Sequence, residues 1–164
     1  MINAMPNWPR QSECARFYGK PGTGHTSIAL PYPVRLSWDL KTTLSHFAIH
    51  EKCAESALKV LNRVKDIYGV EKISELRLDL WGGCFNNRRM RGGTQLSMHA
   101  YACAIDWDPD HNQLRWSKHD EPPASPSLAR AEYKAWWEAW EAEGWVSLGR
   151  TRDRDWMHVQ AARL

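Results

Sequence analysis

Between Glu51 and Tyr68 the apolar residues Ala54, Ala57, Leu58, Leu61, Val64 and Tyr68 recur at helical spacing, with Glu55, Lys59, Asn62 and Asp66 opposite them. Residues three and four apart share a helix face, so the stretch predicts an amphipathic helix with Gly69 as its stop. The period then changes. Leu76, Leu78 and Leu80 alternate with Arg77, Asp79 and Trp81 before Gly82-Gly83, predicting a half-buried strand that ends in a break. The short apolar run from Ala100 to Ile105 predicts a buried strand. Ser125-Pro126 offers a cap and a first helical position for a helix whose Ala129, Tyr133, Trp136, Trp137 and Trp140 share a face, closed by Gly144. A last strand over 156–161 would return His158 to the strand near Asp106. By contrast Pro6, Pro9, Pro21, Pro31 and Pro33 predict an irregular N-terminal segment, residues 1–37, packed on a domain of residues 38–164. Helices beside a small, mainly antiparallel sheet make an α+β domain.

Composition narrows this picture. At 164 residues, 43% hydrophobic and with ten tryptophans, the chain is expected to form one domain with a sizeable core, and the tryptophans near residue 140 to lie in it instead of forming a sugar platform. A net charge of +3 with both signs mixed is too mild to imply nucleic-acid binding but suits an anionic partner. No run approaches the length of a membrane span, and Met1 to Arg10 lacks the basic and apolar regions of a signal peptide. The expectation is therefore synthesis in the cytoplasm without membrane insertion. Cys14, Cys53, Cys84 and Cys103 are widely spaced, contain no CxxC pair and are expected to be reduced, buried thiols.

The densest metal-capable cluster is His99 through Asp106, joined later by Asp155 to His158. Two imidazoles and one carboxylate, His99, His158 and Asp106, are a donor set for a catalytic zinc, which lowers the pKa of a water and polarises a peptide carbonyl. Asp155 is placed to be the carboxylate that takes the water's proton. On an extended backbone residues three or seven apart face opposite ways. His99 and Asp155 are therefore expected at loop–strand junctions, with Asp106 and His158 on neighbouring strands.

The runs Gly82-Gly83-Cys84-Phe85-Asn86-Asn87-Arg88, Arg91-Gly92-Gly93 and Ser97-Met98-His99-Ala100-Tyr101-Ala102-Cys103-Ala104-Ile105-Asp106 resemble the zinc D-Ala-D-Ala carboxypeptidase and L-alanyl-D-glutamate endopeptidase family. That family's hallmark is Ser-x-His-x-x-Gly-x-Ala-x-Asp followed by a Trp/His segment preceded by an acid. The likeness extends to Gly144-Trp145 and Asp155-Trp156-Met157-His158-Val159-Gln160 and, more loosely, to Trp8-Pro9-Arg10-Gln11 and Phe17-Tyr18-Gly19, which look like phage and prophage members. It implies a hedgehog/DD-peptidase-like single domain, a monomeric peptidoglycan peptidase of endolysin type, zinc on His99, Asp106 and His158, and Asp155 as the catalytic acid. Arg88 matches the arginine that polarises the scissile carbonyl, and Ser97, Arg91 and Gln160 become substrate-binding or hydrogen-bonding candidates. The implied partner is the peptidoglycan stem peptide, reached in the periplasmic or extracellular wall after release from the cell. Two departures stand out: Ala102 replaces the motif's glycine, and Gln160 stands where many members carry Glu.

Other constellations are weaker. Asp106, Asp108, Asp110 and Asn112 begin like a calcium loop, but His111 and Ser117 occupy the positions that need Gly and a bidentate acid. His46 and His50 lack the Glu of an HExxH motif, which points to a structural role for His50. Arg88, Arg89 and Arg91 beside Phe85 also read as a nucleic-acid patch, and a murein-binding domain without catalysis is a further alternative. Which peptide bond is cut, and whether the role is lysis or wall opening by a virion, stay open at this stage.

Overall fold

The computed structural model describes residues 5–164. A 3-10 turn leads into a short helix, α1 (Cys14–Tyr18), followed by two long strands, β1 (His25–Leu36) and β2 (Asp39–His50), the long helix α2 (Glu51–Glu75) and β3 (Leu80–Trp81). A 3-10 turn (Met98–Tyr101) precedes β4 (Ala104–Asp106), and α3 (Lys134–Ala142), β5 (Val146–Ser147), α4 (Leu148–Arg152) and β6 (His158–Gln160) complete the chain. The strands form two small sheets, β2-β1-β3, in which β3 runs parallel to β1, and the antiparallel β4-β6-β5. The architecture is α+β.

The sheets meet where Trp81 bridges Trp107. There Gly82 N donates to Asp106 O (2.7 Å) and Asp106 N to Gly83 O (3.0 Å), so the break after β3 fixes the end of β4. Beneath the junction Trp107, Trp136, Trp140 and Trp145 are fully buried and meet mostly edge to face, as aromatic quadrupoles prefer. These four tryptophans are core. Cys14, Cys53, Cys84 and Cys103 are also buried. No helix among the described residues is long and apolar enough to cross a membrane.

Several elements differ from the sequence reading, each for a local reason. The irregular N-terminal segment expected over 1–37 is not irregular throughout its described part, 5–37: β1 lies in it, and the 37/38 boundary falls in the turn of the β1–β2 hairpin. Pro31 and Pro33 disguise the strand because they have no N–H to give. The ladder accordingly slips between Ala29 and Val34 and then resumes. Gly69, by contrast, is the expected stop: its backbone is non-helical (φ 77°), and the rest of α2, up to Glu75, is a second helical stretch beyond the kink. The Leu76–Leu80 alternation is mostly a turn. Arg77 takes φ 61° and grips Asp108 with two hydrogen bonds of 2.9 and 2.8 Å, while Asp79 pairs with Arg35 at 2.7 Å. Only Leu80 and Trp81 are extended.

The run from Ala100 to Ile105 is likewise divided, a 3-10 turn giving way to β4 at Ala102, whose backbone is left-handed (φ 54°). A glycine fits that conformation without strain, whereas Ala102 holds it with a Cβ. The helix expected from Ser125-Pro126 begins as two 3-10 turns and becomes α-helical only at Lys134.

Gly82 is the tightest point of the sheet junction, since a Cβ there would lie 2.6 Å from Pro109 Cγ and 3.2 Å from Asp106 Cβ. Gly82→Ala is expected to lower stability by about 1–3 kcal/mol in urea denaturation. An unchanged midpoint would contradict the close approach of these two segments.

Candidate metal centre

Asp106 ends β4 and His158 begins β6, and the two are direct cross-strand partners. Residues opposite each other in an antiparallel pair project from the same face, so the pairing itself brings the carboxylate to the imidazole. His99 arrives from the 3-10 turn before β4. Ser97 caps that turn, its hydroxyl accepting from His99 N (3.2 Å), and Ser97 N donates to Arg88 O (2.9 Å). Asp155 occupies a tight turn at φ 51°, where its N–H donates to Leu114 O (2.9 Å) and its carbonyl accepts from His158 N (3.0 Å). The turn resolves the parity problem: Asp155 and His158 face the same cavity although they are three residues apart.

Second hydrogen bonds set the tautomer of each imidazole. His99 Nδ1 lies 2.8 Å from the carbonyl oxygen of Cys84, which can only accept, so Nδ1 carries the proton and the Nε2 lone pair points at Asp106 Oδ1, 3.2 Å away. His158 Nε2 lies 2.8 Å from Gln160 Oε1, and the Gln160 amide is oriented by its own donation to Gln11 Oε1 (2.8 Å) and Ala162 O (3.0 Å). His158 Nδ1 is thereby turned on the same Asp106 oxygen at 3.4 Å.

Three electron-pair donors aimed at one another are satisfied by a cation between them or by protons on the imidazoles. Zinc holds such ligands at about 2.0–2.2 Å in a tetrahedral array, which sets neighbouring donor atoms about 3.4 Å apart. The two separations above match that spacing, and all three donor atoms lie within 4.8 Å of one another. The residues present fit a divalent metal with two nitrogen ligands and one oxygen ligand.

No protein-family model, curated protein or solved structure matches the chain.

The electrostatics follow the geometry. Burial alone would raise the Asp106 pKa, but His99 and His158 outweigh it and hold the carboxyl well below the usual carboxylate range. Burial opposes charge on His158, yet the hydrogen bond and charge of Asp106, with Asp155 adding, raise its pKa. Asp155 is raised by burial and by the neighbouring Asp106, against partial compensation from His158 and His99. Its Oδ2 stands 4.0 Å from His158 Nδ1, and its carboxylate accepts no hydrogen bond among the described residues.

The centre opens into a cavity of about 830 Å³ whose wall includes Arg88, Arg91 and Ser97. Arg89 is not on this wall; it ties its loop by donating to Thr94 O (2.8 Å). Gln160, expected to meet substrate, borders the cavity but is 1% exposed, and its amide is engaged with His158, Gln11 and Ala162, so it orients a ligand imidazole. His50 caps α2 through Lys52 N and bonds Tyr18 O, and His46 lies on exposed strand, not on a helix; neither joins the centre. Asp108 is held by Arg77, and the Asn112 side chain bonds Asp108 O and Ser127, so the calcium-like stretch is occupied with structural work.

Sequence reasoning missed the Cys84 carbonyl, a backbone group that no side-chain motif reveals, and Gln11. Gln11 reaches the site because residues 9–11 pair with Arg163: Gln11 N donates to Arg163 O (2.8 Å) and Arg163 N to Pro9 O (2.7 Å).

Calorimetric titration should find one zinc per chain, lost in His99→Ala and His158→Ala. Gln160→Met should weaken zinc binding by roughly 10–100-fold, since it frees the His158 ring. The raised His158 pKa gives a sign for pH. In the metal-free chain the protonated imidazole stabilises the fold below the ordinary histidine pKa of about 6.5, and that contribution is lost as pH rises through the raised value. Zinc must displace this proton, so its affinity should climb between about pH 5.5 and 8. A flat profile would contradict the assignment of His158 as a ligand.

Proposed function

We propose that the chain is a zinc-dependent peptidase that hydrolyses a peptide bond in the peptidoglycan stem or cross-link. It is of the D-Ala-D-Ala carboxypeptidase or L-alanyl-D-glutamate endopeptidase type, with the hedgehog/DD-peptidase-like fold and the phage endolysin role that its motifs resemble. The observation that carries this reading is the convergence of His99, Asp106 and His158 on one point beside the unengaged carboxylate of Asp155. Zinc on the three ligands supplies a Lewis acid able to polarise a carbonyl and acidify a water.

The chain's own groups do the rest. Asp155 faces the centre with a carboxylate that accepts no hydrogen bond among the described residues, so it takes the proton of the attacking water and passes it to the leaving amine. Arg88, permanently charged and on the cavity wall, stabilises negative charge growing on the carbonyl oxygen. Arg91 and Ser97 on the same wall hold polar groups of the peptide. A cavity of about 830 Å³ admits a few peptide residues and suits a stem peptide better than a folded protein. The enzyme acts as a monomer on the periplasmic or extracellular wall.

Purified murein tests the reading. Asp155→Asn should keep its zinc yet release soluble fragments about 10²–10⁴-fold more slowly. Arg88→Met should cost about 10²–10³-fold in rate, also with zinc retained. Release by Asp155→Asn at the wild-type rate would overturn the assignment, and mass spectrometry of the fragments identifies the bond cut.

A further inference from the structure

The cavity wall carries five arginines, Arg88, Arg91, Arg115, Arg152 and Arg154, and two acids, Asp106 and Asp155, both of which belong to the metal centre. With a dication on the triad, nothing else on the wall offsets the arginines. Outside the cavity Arg35, Arg77, Arg130 and Arg150 each hold a carboxylate within 2.9 Å, while Arg10, Arg16, Arg63, Arg89 and Arg163 form no salt bridge among the described residues, so it is the gathering of five arginines on one wall that is distinctive. None of the five cavity arginines forms a salt bridge among the described residues.

The five fall into two groups. Arg88 and Arg91 sit on the loop that leads into Ser97 and His99. Arg115, Arg152 and Arg154 come from the two segments joined by the bond from Asp155 N to Leu114 O (2.9 Å), next to the proposed base. The one acid interleaved in the second group, Asp153, is turned away, accepting from Lys118 N (2.8 Å) and Trp156 Nε1 (3.0 Å). Asp153 and Asp155 both take positive φ (52° and 51°), so the backbone turns on each side of Arg154, which lines the cavity. Leu114, Leu148 and Met157 line the same side, while the three arginines themselves are exposed and free to reach a ligand.

We propose that the cavity recognises a peptide with at least two free carboxylates, one held by Arg91 beside the carbonyl-facing Arg88, and that Arg115, Arg152 and Arg154 form the subsite for the second. The orientation of the peptide rests on the peptidase reading above; the need for two carboxylates does not. Guanidinium forks match carboxylates bidentately, and two such anchors on either flank of the centre fix the register of the amide that meets the metal.

The test uses the zinc-loaded full chain and a short synthetic peptide whose central amide is replaced by an uncleavable methyleneamino link, so binding is read without turnover. The diacid is compared by calorimetry with two twins, each having one carboxylate converted to a primary amide. Each amidation should weaken binding roughly tenfold or more. Arg115→Gln, Arg152→Gln and Arg154→Gln should each weaken the diacid roughly tenfold. Combined, they should erase the preference at one carboxylate only, with zinc affinity unchanged. Arg63→Gln, the same charge change on α2, should alter nothing. Equal binding of the diacid and both twins would overturn the proposal, as would tighter binding of inorganic phosphate or tripolyphosphate than of the diacid. Diacid preference in a chain that releases nothing from murein would uphold this subsite and sink the peptidase reading.

Discussion

Two imidazole lone pairs and one carboxylate oxygen held against one another would repel if the centre stood alone. They are held because each partner is fixed from behind: His99 by the Cys84 carbonyl, His158 by the Gln160 amide, and Asp106 by the backbone bonds that tie it to Gly82 and Gly83. In the metal-free chain a proton on His158 relieves this repulsion, and a bound cation takes the proton's place, which is the general logic of metal centres whose outer hydrogen bonds orient the ligands. Much of the fold serves that arrangement. The β4–β6 pairing aims two of the ligands, and the Trp107 cluster anchors the strand that ends in Asp106. The N- and C-terminal segments pair to deliver Gln11 to Gln160.

The surroundings divide the carboxylates by role. Asp106 is held ionised by the imidazoles and can serve as ligand at any ordinary pH, whereas Asp155, buried beside it and without hydrogen-bond donors among the described residues, is pushed the other way. Two acids with pKa values driven apart by their environments are the usual mark of an acid and a base with separate tasks. The same cavity gathers arginine around these acids while the rest of the surface keeps its charges mixed. Its polarity is thus a local property that the chain's net charge of +3 conceals.

The centre was readable in the sequence to the extent that donor chemistry resides in side chains. His99, Asp106, His158 and Asp155 were named from residue type, spacing and resemblance, and the parity of extended chain already required two of them to leave the strands. What escaped was whatever depends on backbone or on distant pairing. The Cys84 carbonyl is not a side chain, and the role of Gln160 is set by Gln11, 149 residues away. The β1–β2 hairpin was hidden by Pro31 and Pro33, which usually exclude a strand and here are absorbed by a slip in register. The alternation at Leu76–Leu80 misled because the Arg77–Asp108 and Asp79–Arg35 pairs override it with a turn.

Where a metal binds decides the roles of these residues. Anomalous diffraction at the zinc edge from zinc-loaded crystals should show one peak, about 2.0–2.2 Å from His99 Nε2, His158 Nδ1 and Asp106 Oδ1, with Asp155 outside the coordination sphere. No peak, a peak on the cysteine sulfurs, or coordination through His99 Nδ1 with its bond to Cys84 broken would contradict it.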